Sequence, residues 1–178
     1  MTNPDLFRDA LSSARFSAVH FESRDAYAIG DEEEDAYAQF LAGGEPNADP
    51  DSDYWRPWVE LVRDAVGRGV VMRRARIISE PVSDYIRFEH ALTAANIAAG
   101  EQVRWLPRRS AAGIAVSAID FWLFDDDVVI LNHFDGNGDW RTVQNKELTS
   151  DPAVVKLCKE SFEAVWLRAV PHAEYKLA

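Results

Sequence analysis

Between Val70 and Glu89 the chain changes its period, and that change constrains the fold more than any other stretch. The run VVMRRARII is rich in β-branched residues and alternates, whereas beyond Glu80-Pro81 the apolar residues Val82, Tyr85, Phe88, Leu92 and Ala95 recur at spacings of three and four. The spacing predicts a strand over 70–78, a tight turn at Glu80-Pro81, and a helix over 81–99 that Ser79 or Ser83 caps and Gly100 ends. A period of two places Met72, Arg74, Arg76 and Ile78 on one strand face, with the two arginines roughly 7 Å apart. Two neighbouring cations need anions. Asp84 and Glu89 on the following helix supply them in one reading, and a bound phosphate or carboxylate does so in the other.

The remaining elements follow from the same rules. Residues 4–14 form a short amphipathic helix with Leu6, Phe7 and Leu11 inward, followed by a strand over 16–21. The acidic run 31–34 opens a helix carrying Tyr37, Phe40 and Leu41, where carboxylates favour the positive end of the backbone dipole, and Gly43-Gly44 stops it. Residues 45–53, with two prolines and four carboxylates, read as an acidic loop. A helix over 54–66 presents Trp55, Trp58, Leu61, Val62 and Ala65 as one apolar stripe. QVRWL at 102–106, closed by Pro107, reads as a strand near a sheet edge. From Asp120 a meander is expected: DFWLF and VVILNHF flank a turn at 125–127, and residues 135–138 lead to a strand at 140–143. Asp151-Pro152 then opens a last helix with Val155, Cys158, Phe162, Val165, Trp166 and Ala169 on its apolar face. The sum is α+β: one domain, with a mainly antiparallel sheet of about five or six strands covered by helices.

Composition limits function more than it defines it. A net charge of −11 opposes direct attraction to nucleic acid or anionic lipid. No stretch approaches the ~20 apolar residues of a membrane span, and the N-terminus lacks a signal-peptide pattern, so a cytoplasmic location is expected. The single cysteine falls on the apolar stripe of the last helix and reads as a small buried hydrophobe. GxGxxG, GKS and GKT phosphate loops are absent, as are HExxH, paired cysteines and GxSxG. The run from Asp135 to Asp139 imitates half a calcium loop, but Trp140 and Lys146 stand where glycine and glutamate are required. No catalytic residue, metal or cofactor is therefore expected. The candidate ligand-binding residues are Arg74, Arg76, Ser83, Asp84, Tyr85, Arg87, Glu89, Arg104, Trp105, Arg108 and Trp122. Arginines bind phosphate and carboxylate in a bidentate manner, and a helix N-terminus beside them adds N–H donors.

The segments EPVSDYIRFE, AAGEQVRWLPR and DFWLFDDDVV, with the ending DPAVV and AVPHAEY, resemble a family of small acidic actinobacterial proteins often encoded beside helix-turn-helix transcription regulators. The resemblance covers roughly residues 16–175 and implies a regulatory partner rather than an activity. More weakly, the hairpin and final helix are similar to the phospholipase-D-like sensor half of such regulators, without the HxK signature of active members.

Three functions of different class are compatible with these readings. The first is a non-catalytic regulatory module docking to a helix-turn-helix regulator. The second is a small-molecule sensor or enzyme that binds a phosphorylated or carboxylated ligand through the arginine cluster. The third is an acidic mimic of nucleic acid built on residues 31–35 and 45–53.

Overall fold

The period change predicted around Glu80-Pro81 is present in the computed structural model, which describes residues 6–27, 31–136 and 138–178. Strand β2 (Val71–Ile78) leads through Ser83, whose hydroxyl accepts the Ile86 N–H as N-cap, into α4 (Asp84–Ala99). Gly100 ends α4 at φ +113, a left-handed conformation in which a Cβ would also crowd Val66 at 3.2 Å. Helix α4 begins at Asp84 rather than at Pro81, because Ser83 is still extended.

In chain order the remaining elements are α1 (Leu6–Ser13), β1 (Ser17–Glu22), α2 (Asp31–Leu41), α3 (Arg56–Gly67), β3 (Gln102–Pro107), β4 (Asp120–Phe124), β5 (Val128–Asn132), β6 (Lys146–Thr149), α5 (Pro152–Arg168) and β7 (Val170–Pro171). The expected start of the first helix at Pro4, and the side chains of Asp31 and Glu32 in the acidic run, lie outside the described residues, as does Asn137 of the expected turn. Seven strands form one sheet in the order β6-β5-β4-β1-β2-β3-β7. The pairs β1–β2 and β2–β3 are parallel, joined by crossovers through α2–α3 and through α4, and the other four are antiparallel. The fold is therefore α+β in one domain, with the parallel pairs at the centre of a mainly antiparallel sheet.

Each strand face has its own cover. On one face α5 packs Cys158, Phe162, Val165 and Trp166 over Val19, Phe21, Ala75, Ile77, Phe121 and Leu123. On the other, α1 and α3 cover Ala18, Met72, Trp122, Phe124 and Ile130, while α4 and the C-terminal segment cover Ile78, Val103 and Trp105. The hairpin β4–β5 turns through positive φ at Asp125 and Asp126, a conformation that short polar side chains tolerate. The Asp125 carboxylate then accepts the backbone N–H groups of Arg15, Phe16 and Ser17, each at 2.8 Å, tying the entry of β1 to the hairpin.

The strand expected at 140–143 does not form. Trp140 makes only an isolated bridge to Phe134, the two rings pack 4.3 Å apart, and the final strand of the meander is Lys146–Thr149. Ring packing of Phe134 and Trp140 folds this segment back on itself, so the alternation of WRTV has no strand to pair with. No helix among the described residues is long and apolar enough to cross a membrane.

Candidate functional site

Alternation along the strands gathers charge on the face that carries α3 and α4. In β1 the residues inward on that side are Ala18, His20 and Glu22, and parallel pairing sets His20 opposite Arg74 and Glu22 opposite Arg76. On the far side of β1, His20 pairs with Trp122, and the register continues through Asp120 to Asn132 and from Asn132 to Lys146. Local sequence thus supplies isolated polar residues at alternate positions. Only the strand order sets them in rows.

The ions are arranged as a network. Arg74 Nε donates to Glu101 Oε1 at 2.8 Å and its terminal nitrogen to Glu101 Oε2 at 3.3 Å, while Glu22 lies 3.4 Å away. Asn96 donates to the same Glu101 at 3.0 Å. Arg76 lies 2.6 Å from both Glu89 and Glu22, the second being an ion contact to Nε without hydrogen-bond alignment. Its guanidinium rests 5.2 Å from the Trp105 ring. Burial pushes the Glu22 carboxyl up, but the charges of Arg76 and Arg74 outweigh it and hold it at about 2. Burial lowers Arg76, and Glu22 and Glu89 more than reverse that, so it stays charged. The His20 imidazole is pushed down to about 3 by burial, with Arg74 and Arg76 adding to the effect against Glu22, and is therefore neutral. It stacks on Trp122 at 4.1 Å. Glu33 of α2 is raised to about 7, first by burial and then by the Glu89 charge beside it.

Above this network the sheet is left partly uncovered, and a cavity of about 350 Å³ opens there. His20, Arg74, Arg76, Trp122, Asn132 and Lys146 form its floor. Its walls are Phe7, Tyr54, Trp55, Trp58 and Trp140, with Glu33, Glu89, Leu92 and Asn96 from the side of α2 and α4. A recess of about 190 Å³, lined by Glu22, Tyr27, Tyr85 and Phe134, shares His20, Arg74, Arg76, Glu89, Asn132 and Trp140 with it. Five buried polar atoms of these lining residues have no hydrogen-bond partner among the described residues: Glu22 Oε2 and Arg76 Nε, which face each other as an ion pair, and His20 Nδ1, Trp58 Nε1 and Asn132 Oδ1. His20 Nδ1 stands 3.7 Å from Glu22, beyond hydrogen-bond reach. Such atoms cost about 1–3 kcal/mol each when left unpaired. Lys146 is lowered by burial and lies 5.5 Å from the Trp140 ring, with no carboxylate of the described residues in ion-pair contact.

The residues singled out from sequence divide into those at this cleft and those elsewhere. Arg74, Arg76, Glu89 and Trp122 line the main cavity and Tyr85 the recess, where burial and then Glu89 raise its phenol. Trp105 lies beneath Arg76 and donates to His172 Nδ1 at 3.1 Å. Asp84 does not pair with either arginine of β2: it is exposed and faces Arg87 at 3.8 Å, because the first turn of α4 points those two outward. Glu22 and Glu101 take the place expected of it. Arg104 lies on the opposite sheet face, its parity differing by one from that of Trp105, with its guanidinium 4.3 Å from the Trp166 ring. Arg108 sits at the end of β3 and binds Asp25 at 3.1 Å and Ser79 at 3.0 Å. Ser83 serves as the helix cap, with its hydroxyl on the Asp25 carbonyl at 3.2 Å.

Sequence reading missed His20, Glu22, Glu33, Trp58, Glu101, Asn132, Trp140 and Lys146 as parts of this site. Alternation in SAVHFE and VVILN signals polar residues on the inner face, which was the available clue for His20, Glu22 and Asn132. Among the described residues no group of three or more His, Cys, Asp or Glu side chains is placed to hold a metal ion.

Fold and cleft define a class: an α+β domain with an aromatic-walled cavity over a floor of paired arginines and carboxylates. Within that class the chain belongs to the family described as a domain of unknown function, DUF6879, whose pattern matches residues 5–177. No curated protein matches it. In structure it is similar to TrmBL2, described as an archaeal chromatin protein whose structure shows a novel mode of DNA binding. That similarity is at 15% identity over 92% of this chain and 49% of the other, with a TM-score of 0.46. The chain thus spans about half the length of that protein.

Proposed function

We propose that this domain is a non-catalytic regulatory module that binds a small molecule in the cleft over β1, β2, β4 and β5. One observation carries the reading: His20, Trp58 and Asn132, each with a buried polar atom that has no hydrogen-bond partner among the described residues, line a cavity of about 350 Å³ with aromatic walls. Small-molecule sites share this make-up, at roughly 300–1,000 Å³ with a few convergent polar groups on apolar walls. The pairing of Arg74 and Arg76 with Glu22, Glu89 and Glu101 supports assigning the arginines to the frame of the site rather than to the ligand. The reading is tested by thermal shift against a library of small organic molecules. At least one compound should raise the melting temperature of the parent, and Trp58→Phe or Asn132→Ala should suppress the shift. Shifts that persist in both variants would refute the cleft as the site.

A second reading concerns output. The net charge of −11 favours docking to a basic protein such as a helix-turn-helix regulator, with electrostatic steering and a complex that weakens as salt rises. Sizing chromatography with the neighbouring regulator tests it, since separate elution at low salt and micromolar concentration would remove it. The mimic of nucleic acid has less support, because Asp51 and Asp53 are engaged by Arg63 and Arg56 on α3.

A further inference from the structure

The charges around the cleft narrow the chemistry of what it holds. The arginines are already matched by carboxylates at 2.6–3.4 Å, so an anion on them would have to displace an existing ion pair. A cationic ligand fares no better. Arg74 already lies 5.9 Å from the Trp58 and Trp122 rings, and Lys146 lies 5.5 Å from Trp140, so protein cations occupy those aromatic faces. Lys146, half-buried, is the cleft cation that no carboxylate of the described residues contacts, and it lies beside Asn132, its register partner on β5, whose side-chain oxygen has no partner among the described residues. Across the cavity the Trp58 indole N–H is unpaired as well.

On the reading that this cleft is a ligand site, we propose that it takes a small aromatic monocarboxylate. The carboxylate pairs with Lys146, a ring N–H donates to Asn132 Oδ1, and the ring lies between the tryptophan walls with an acceptor toward Trp58 Nε1. The ligand's one charge meets the cleft cation that has no carboxylate contact among the described residues. A phosphate dianion would leave its second charge without a counterpart, in a protein whose net charge of −11 already opposes it. The inward setting of Asn132 and Lys146 comes from the β5–β6 register, and Trp58 from the first turn of α3, so the carboxylate subsite and this part of the ring subsite rest on different elements.

The test uses four probes at pH 7.5 on the whole chain by calorimetry: indole-3-carboxylate, its uncharged isostere indole-3-carboxamide, phenyl phosphate and tryptamine. Indole-3-carboxylate should bind at least tenfold more tightly than the other three. Lys146→Met should erase its advantage over the carboxamide, and Lys146→Arg should restore part of it. Trp58→Phe, which keeps an aromatic ring and removes the N–H, should weaken carboxylate and carboxamide alike, and circular dichroism confirms that each variant is folded. Carboxamide, phosphate or tryptamine binding as tightly as the carboxylate, while still sensitive to Trp58→Phe, would overturn the ligand class and leave the cleft as a site. Failure of all four probes to bind at millimolar concentration would also overturn the class. The cleft itself falls only if library hits are also indifferent to Trp58→Phe and Asn132→Ala.

Discussion

Arg74 and Glu101 form a two-point ion pair, 2.8 Å and 3.3 Å, between the middle of β2 and the residue after the α4 C-cap, with the Glu101 side chain fully buried. The pair fixes the return of α4 into β3 at the point where Gly100 turns the chain. Removing one partner of such a pair leaves a buried charge without compensation, which typically costs about 3–5 kcal/mol, whereas replacing both by apolar groups of similar volume is often near neutral. Arg74→Met should therefore lower stability by about 3 kcal/mol or more in chemical denaturation. The double variant Arg74→Met with Glu101→Leu should recover much of that loss.

Arg76 and Asp84 should behave in opposite ways. Arg76 serves Glu22 and Glu89 together, so Arg76→Met leaves the half-buried Glu89 without its cation and Glu22 with Arg74 alone, and should also cost about 3 kcal/mol or more. Asp84, exposed on the first turn of α4, should tolerate Asp84→Asn within about 0.5 kcal/mol. Urea midpoints of the two variants measure the contrast, and similar values would show that Asp84 contributes to the network after all.

Glu33 gives a pH signature of defined sign. Its carboxyl is raised to about 7 from the ordinary 4.5, so between those values the folded chain holds a proton that the unfolded chain has lost. Stability attached to Glu33 is thus fully present below pH 4.5 and declines as pH rises toward 7 and beyond. Glu33→Gln, which mimics the protonated form, should match the parent near pH 5 and exceed its melting temperature at pH 8. A difference that is constant from pH 5 to pH 8 would contradict the shared proton.

Asp125 should show the reverse dependence. Its carboxyl is lowered: burial raises it, but the three backbone N–H groups of Ser17, Arg15 and Phe16 outweigh burial. The stability it supplies is present above its unfolded value of about 3.8 and is lost as pH falls through the lower folded value. Asp125→Ala removes all three acceptor contacts and should cost about 2 kcal/mol at pH 7, the order expected for several partly exposed hydrogen bonds to a charged group. Hydrogen exchange should localise the loosening to the start of β1.

Local periodicity carried much of this structure. The alternation of VMRRARII placed Arg74 and Arg76 on the inner face before any partner was known, the spacing of α3, α4 and α5 marked their buried stripes, and Ser83 and Gly100 marked the ends of α4. Those features depend on backbone geometry within a few residues, which the sequence expresses directly. The failures share a cause of longer range. Trp140–Val143 alternates as a strand should, yet ring packing with Phe134 leaves it without strand partners beyond one bridge. Asp84 is nearer in sequence to Arg76 than Glu22 is, yet Glu22 reaches the arginine because parallel pairing sets β1 against β2.

The sequence by itself determined the helices, strands β1 to β5 and the inward faces of β2, α4 and α5, but not the strands at Lys146–Thr149 and Val170–Pro171. The tertiary structure alone decided that His20, Arg74, Trp122, Asn132 and Lys146 share one floor, that carboxylates close the arginine cluster, and that an aromatic cleft stays open above it. The reason is physical: side-chain direction repeats with a period of two or 3.6 residues along the chain. Ion pairing and cavity shape depend instead on strand order, which brings together groups as far apart in sequence as Glu22 and Asn132.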